Sequence, residues 1–366
     1  MFRVKFGVAA ASHLAIKALQ QTAKEAVGRY DKAASVILRD FYVDDLLTGS
    51  SNIEELQVIQ CDVSTVLGSG GFELRQWASN CPELTASIPN ASKEISKYIA
   101  EDKKVHALGL IWNTKRDYLT FAVNLNEPIP LLSKRAYLSD SSVLFDPIVL
   151  LSPCTIKSKI WFQDLWRSNV DWDDPVPMPI AREWCHHREQ LKLFSDLKLK
   201  RWTGIGAKGA YTQLHLFADA SERAYAAVIY ARTIQPCGEI TVALASSKTK
   251  VAPLKVTTLP RLELCAANLA AKLAKTIMDS LPNQTYPMFA WPDPTITLAW
   301  LKAHQSRWTT FITNRVADTQ EIVPAESWNH IRSEINPADC ASRGLTPLEL
   351  MEHRLWWNGP EFLSSS

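Results

Sequence analysis

Residues 213–221, QLHLFADAS, form a β-prone run that ends on an aspartate. Two more β-prone runs follow, AYAAVIYART (224–233) and ITVALASSKTK (240–250), so three successive strands are expected. LPRLELCAANLAAKLAKTIMDSL (259–281) then carries apolar residues at helical spacing. YPMFAWPDP (286–294) reads as a strand, TITLAWLKAH (295–304) and TTFITNRVADTQEI (309–322) as helices, and SWNHIRSEINPADCASRG (327–344) as a strand, a loop and a short helix. This order implies a mixed sheet covered by helices.

Four acidic residues share a logic within that order. Asp219 ends a strand, Glu263 lies near the start of a helix, Asp293 ends another strand and Asp339 begins the last helix. Strand ends and helix starts converge on one edge of an α/β sheet. Carboxylates brought together there repel one another unless cations intervene. Two divalent ions about 4 Å apart would convert them into a two-metal phosphodiesterase site, and magnesium suits such oxygen ligands. The plainer alternative is helix capping for Asp293 and Asp339 and a helix-dipole role for Glu263.

A second acidic feature lies upstream. DFYVDDLLTGS (40–50) sets Asp44 and Asp45 side by side after an aromatic, β-prone run. Here a helix is expected over 13–36, then a strand, a tight turn and a returning strand over 36–50, and a second helix over 52–67. FELRQWAS (72–79) is strand-like, and VHALGLIWN (105–113) and YLTFAV (118–123) are β-prone runs joined by a turn. The first half is thus a mixed α+β unit. Beyond residue 130, helical segments alternate with prolines, and the basic stretch LKLKRWTGIGAKG (197–209) reads as a linker.

Composition fits this multidomain reading of α+β and α/β elements. The 366 residues are 46% hydrophobic and 21% charged, with a formal net charge of +2, so any nucleic-acid surface must be local. The seven cysteines are scattered without a Cys-x-x-Cys pair, which argues for reduced thiols and an intracellular protein, cytoplasmic or nuclear. Cys185-His186-His187 is a poor metal site, because three successive helical residues point in three directions. The N-terminal MFRVKFGVAAASHLA runs into helical periodicity and reads as an amphipathic helix rather than a leader. No apolar run has the length of a membrane span.

Tyr42-Val43-Asp44-Asp45 on a hairpin resembles the palm motif of reverse transcriptases. GFELRQWASNCPEL, LGLIWN, SSVLFDPIVLLSPCTIKSKIWFQDLW, DWDDPVP, HLFADAS, SSKTKVAPLKVTTLPRLELCAA, TITLAWL, NPADCASRGL and LWWNGPEFL narrow the resemblance to the Pao (BEL) family of LTR retrotransposon polyproteins. That resemblance implies a partial reverse-transcriptase palm over 1–128, a helical thumb or connection over 129–205, an RNase H-like mixed sheet with flanking helices over 206–345, and a tail over 346–366. It assigns Asp44 and Asp45 to the polymerase hairpin. It assigns Asp219, Glu263, Asp293 and Asp339 to the RNase H acidic set, with two Mg²⁺ or Mn²⁺ ions as cofactors.

The resemblance further implies an RNA–DNA hybrid as partner, with other parts of the polyprotein as protein partners. Lys200, Arg201, Trp202, Lys248 and Lys250, with Lys198, Lys208 and Lys255, are candidates for tracking its phosphates. A hybrid would be recognised by its A-like shape and 2′-hydroxyls. Two departures bear on activity. The palm aspartate that precedes the hairpin has no counterpart before FGVAAASHLA, so polymerase activity is not expected from this chain alone. Pro292 and Pro294 flank Asp293 where the family usually has hydroxyl residues, and Pro292 removes a donor near a strand end. An RNase H-type hydrolase and a non-cutting nucleic-acid-binding module therefore both remain as readings.

Overall fold

A computed structural model describes residues 9–86, 104–127, 131–281 and 285–365. The N-terminal eight residues of the expected amphipathic helix lie outside the described residues. The chain divides into two compact units, Met1–Leu119 and Thr120–Ser366.

In the first unit, helices α1 (Ala11–Glu25), α2 (Asp31–Asp40) and α3 (Ile53–Ser69) bury Leu19, Ala23, Ala33, Val36, Ile37, Ile59, Val63 and Leu67 against one another. The single helix expected over 13–36 is therefore two. Gly28 takes φ +87, and its N–H donates to Asp31 Oδ1 at 2.7 Å, which ends one helix and starts the next. The strand expected from Val36 is also corrected. Ala33, Val36 and Ile37 share one helical face, so the helix continues to Asp40 despite its β-branched residues. Only β1 (Phe41–Tyr42) and β2 (Asp45–Leu46) pair, Phe41 with Leu46 and Tyr42 with Asp45.

Val43 turns that hairpin at φ 56, a left-handed value that a β-branched residue resists. FELRQWAS, expected as strand-like, has no ladder partner and runs as coil. After the short α4 (Pro82–Ala86), VHALGLIWN is itself a hairpin of β3 (Lys104–Ala107) and β4 (Leu110–Asn113). Leu108 and Gly109, both at positive φ, turn it as a primed turn requires. Strand β5 (Tyr118–Phe121) follows.

The second unit begins with helices α5 (Lys134–Ser141), α6 (Ser152–Arg167) and α7 (Met178–Gln190). Buried Asp140 ties α5 to α7, accepting from Trp184 Nε1 at 3.0 Å and Arg188 Nε at 2.6 Å. The short β6 (Leu199–Lys200) leads through the glycine-rich linker to the sheet: β7 (Tyr211–Ala220), β8 (Ala224–Ile234) and β9 (Ile240–Val251). These three run antiparallel in sequence order. Helix α8 (Leu259–Ser280) then crosses over to β10 (Met288–Pro292), which pairs parallel with β7, giving the order β10-β7-β8-β9.

Strand parity decides what each face carries. Leu214, Leu216 and Ala218 lie opposite Ala231, Ile229 and Ala227, and all six are fully buried beneath α8. Ala266, Ala267, Ala270, Ala271 and Ala274 give α8 a small-residue face that lets it approach the sheet closely. The other parity, with Phe217, Asp219, Val228 and Tyr230, faces α6 and the C-terminal helices. Ser247 on β9 bonds Ser152 Oγ at 2.7 Å, and Arg223 holds Asp164 of α6 through 2.6 and 2.7 Å contacts.

Beyond β10 come α9 (Thr295–Lys302), α10 (Thr310–Gln320), α11 (Ala338–Arg343), α12 (Pro347–Glu352) and α13 (Arg354–Asn358). The strand expected within 327–344 shrinks to an isolated bridge between Trp328 and Ala290. Prolines 324 and 337 and a 3-10 turn at Ser333–Ile335 leave no length for a ladder. β10 is consequently almost an edge strand, and Pro292 closes it as its last residue, where a missing N–H costs least. Among the described residues, no helix is long and apolar enough to cross a membrane.

The tail packs into this unit rather than hanging from it. Trp356 is fully buried, its Nε1 donates to Leu150 O at 2.9 Å, and its carbonyl accepts from Tyr230 Oη at 2.6 Å. Replacing Trp356 by Ala is expected to cost about 3–5 kcal/mol, as large-to-small core changes do. Urea unfolding should show a lowered midpoint at unchanged slope.

Candidate active site

The end of β7 organises the acidic edge. Asn336, 1% exposed, donates from Nδ2 to Ala218 O at 3.0 Å and accepts from Ala338 N–H at 3.0 Å, so it pins the start of α11 to that strand. Three residues past Asp339, α11 presents Ser342, whose Oγ donates to Asp219 Oδ2 at 2.5 Å. Asp219 is the penultimate residue of β7 and is buried, 5% exposed. Leu262 packs with Ala220 and Ala252, which seats the first turns of α8 over the strand end. Glu263, one turn into α8 and equally buried, accepts a hydrogen bond from the Ala220 backbone. Its Oε2 has no hydrogen-bond partner.

The other two carboxylates are more open and are turned to protein partners. Asp293 follows β10, accepts from Ser333 Oγ, and lies 3.9 Å from His330 Nε2. Asp339 accepts from Arg343 Nε at 2.7 Å. Among the described residues, no three His, Cys, Asp or Glu side chains close on one another tightly enough to enclose an ion. The four carboxylates share an electrostatic field without sharing a coordination sphere.

That field is visible in proton affinity. Burial pushes the Asp219 carboxyl up to about 6; the Ser342 hydroxyl opposes the shift, and the charges of Asp339 and Asp293 add to it. Burial likewise pushes Glu263 up to about 9, and the charge of Asp219 is the next largest cause. A raised carboxyl means that the folded protein binds protons the unfolded chain releases, so stability falls as pH rises. For Glu263 the fall starts near its ordinary 4.5 and is complete above about 9. The melting temperature of metal-free protein is therefore expected to drop across that window. In Glu263→Gln the drop should be clearly shallower, as differential scanning calorimetry at stepped pH would show.

The remaining expected site residues are dispersed. Asp44 and Asp45 are exposed at the β1–β2 turn of the first unit. Lys200 ends β6 and Arg201 and Trp202 follow it, all three exposed, with Trp202 at 55%. Lys248 and Lys250 are exposed on the edge strand β9, opposite Ala227 and Tyr225. That register puts them on the α8 face of the sheet, whereas Asp219, opposite Ala226, lies on the other. His187 is buried edge-on against Trp161, while Cys185 and His186 are exposed, as three successive helical positions require. Sequence reasoning missed Asn336, Ser333 and Ser342. The first and last stand inside the quoted NPADCASRG, where an Asn before Pro and a Ser three residues after the acid were the available signals.

Residues 133–294 match a family model described as the Pao retrotransposon-like RNaseH-like domain. No curated protein matches the chain. Among solved structures, RNase H1 from the halophilic archaeon Halobacterium salinarum NRC-1 is similar at 12% identity, over 39% of this chain and 98% of that one, with a TM-score of 0.23. The foamy viral protease-reverse transcriptase in complex with dsDNA is similar at 14% identity, over 91% of this chain and 60% of that one, with a TM-score of 0.23. Residues 133–294 thus carry a Pao retrotransposon-like RNaseH-like domain, within a second unit of mixed sheet and flanking helices.

Proposed function

We propose that the second unit hydrolyses the RNA strand of RNA–DNA hybrids, with Asp219, Glu263, Asp293 and Asp339 holding two Mg²⁺ or Mn²⁺ ions. One observation carries the reading: the Glu263 carboxyl is buried beside Asp219 with an oxygen that no protein group satisfies. A buried acceptor left without a donor is costly, and such an oxygen among other carboxylates suits a hard divalent cation. All four donors are carboxylate oxygens, so the residues present fit magnesium or manganese.

Bound cations would supply an activated water and stabilise the leaving 3′ oxygen. The chain's own residues do the positioning. Asp219 stands on a central strand and is held by Ser342, so it provides the rigid member of the set. Glu263 is fixed by the Ala220 backbone and by the packing of Leu262. Asp293 and Asp339 sit on hydrogen bonds to exposed partners and can reorient. Lys200, Arg201, Trp202, Lys248 and Lys250 are exposed and are read as contacts for phosphates and bases. Asp44 and Asp45 are read as the hairpin carboxylates of a polymerase palm. Among the described residues no third metal-ligating side chain closes on them, and no polymerase activity is assigned to them.

A second reading, binding of nucleic acid without cutting, draws on the ties of Asp293 to Ser333 and of Asp339 to Arg343. A labelled RNA–DNA hybrid separates the two. Cleavage is expected with Mg²⁺ or Mn²⁺, and Asp219→Asn is expected to lower it by at least about 100-fold, more than the loss typical of an outer-shell partner. Salt-sensitive binding by a folded protein with no metal-dependent product would instead establish the binding module.

A further inference from the structure

We infer that the last turn of α11 tunes cation affinity at the acidic edge, with Ser342 as a positioning residue for Asp219 and Arg343 as an internal competitor for Asp339. The inference rests on the reading of the four carboxylates as cation ligands, and it concerns two neighbours that are not themselves ligands.

Ser342 is fully buried, and its hydroxyl has one proton with two acceptors in reach, Asp219 Oδ2 at 2.5 Å and Asp339 O at 3.0 Å. The shorter, charge-assisted contact takes the proton. That bond occupies Oδ2, restricts rotation of the carboxylate and leaves Oδ1 as the available oxygen. The serine is itself anchored, because its carbonyl accepts from Ser221 Oγ at 2.8 Å and Ser221 closes the β7–β8 turn through the Ala224 N–H at 3.1 Å. Ser342 thus transmits the geometry of the β7–β8 turn to Asp219.

Arg343 does the opposite for Asp339. Its guanidinium is four residues on along the same helix, 2.7 Å from Asp339 Oδ1, and its side chain is 69% exposed. It already balances the charge that a divalent ion would otherwise balance, and an exposed cation on a flexible stem is readily displaced. An ion on Asp339 either displaces this pair or shares the carboxylate's charge with the guanidinium, so Arg343 weakens cation binding while it lowers repulsion in the metal-free protein.

The two neighbours therefore predict changes of opposite sign. Mn²⁺ binding to the full chain, without nucleic acid, would be followed by titration calorimetry and by the resonance signal of free Mn²⁺. Ser342→Ala is expected to weaken it by about 10–100-fold, the range for loss of an outer-shell partner. Arg343→Gln is expected to strengthen it by about 2–5-fold at low salt, since a competing charge is removed. A turn with a merely structural role would lower the melting temperature in both variants and shift Mn²⁺ binding in neither, and that result overturns the inference. So would weaker binding by Arg343→Gln. Should Ser342→Ala fail to fold, the exposed Arg343→Gln decides alone. Asp219→Asn separates the two levels. If it binds Mn²⁺ as wild type does, the reading of the acidic edge as a cation site fails. If it loses Mn²⁺ while Ser342→Ala and Arg343→Gln behave as wild type, only the present inference fails.

Discussion

The carboxyl of Glu263, buried with one oxygen unsatisfied beside the buried Asp219, is the constraint on which the second unit's edge depends. Two carboxyls cannot both ionise at such a place without compensation. Metal-free protein meets the constraint by protonation, and a divalent cation would meet it by charge. The surrounding structure keeps the problem in place. Asn336 fastens α11 to Ala218, Ser342 grips Asp219, and the Ala220 backbone grips Glu263. None of these contacts removes the repulsion, which is the opposite of what a purely structural core would select.

The rigidity needed to hold that arrangement comes from the sheet behind it. Leu214, Leu216, Ala218, Ala227, Ile229 and Ala231 form one apolar face under an alanine-rich helix. Each aliphatic side chain of Leu or Ile size adds about 1.5–3 kcal/mol on burial. The opposite face is closed by α6, α11 and the tail, through Ser247 with Ser152, Arg223 with Asp164, and Tyr230 with the Trp356 carbonyl. Helices that the family resemblance divides between a connection and a tail thus pack within one compact unit with the sheet. The family match over 133–294 likewise starts before the sheet.

The first unit shows a different balance. Its core is three helices, and the paired aspartates sit on a hairpin of two residues per strand. Asp40, at the base of that hairpin, is taken up by Arg39 Nε at 2.6 Å and Thr48 Oγ1 at 2.7 Å. Asp44 and Asp45 remain exposed to water, where adjacent charges are tolerated without a partner.

The sequence by itself determined the alternation of strands and helices from Gln213 to Gln320 and the placement of Asp219, Glu263, Asp293 and Asp339 at strand ends and helix starts. Those signals are local, being runs of β-branched or aromatic residues, helical spacing, and acids at their borders. It also pointed to the Pao resemblance that the family match over 133–294 bears out. It misjudged Val36–Asp40, because β-branched residues read as strand until the helical face they share with Ala33 finds α1 and α3 to pack against. It was silent on Ser342, Ser333 and Asn336, whose partners stand 123, 40 and 118 residues away along the chain. Only the tertiary structure decided that Lys248 and Lys250 face away from Asp219, since a strand's register sets which side of a sheet each residue takes. It alone decided that Pro292 falls at a strand's last position and that Glu263 is buried with an oxygen to spare, because burial depends on packing between segments that no local pattern encodes.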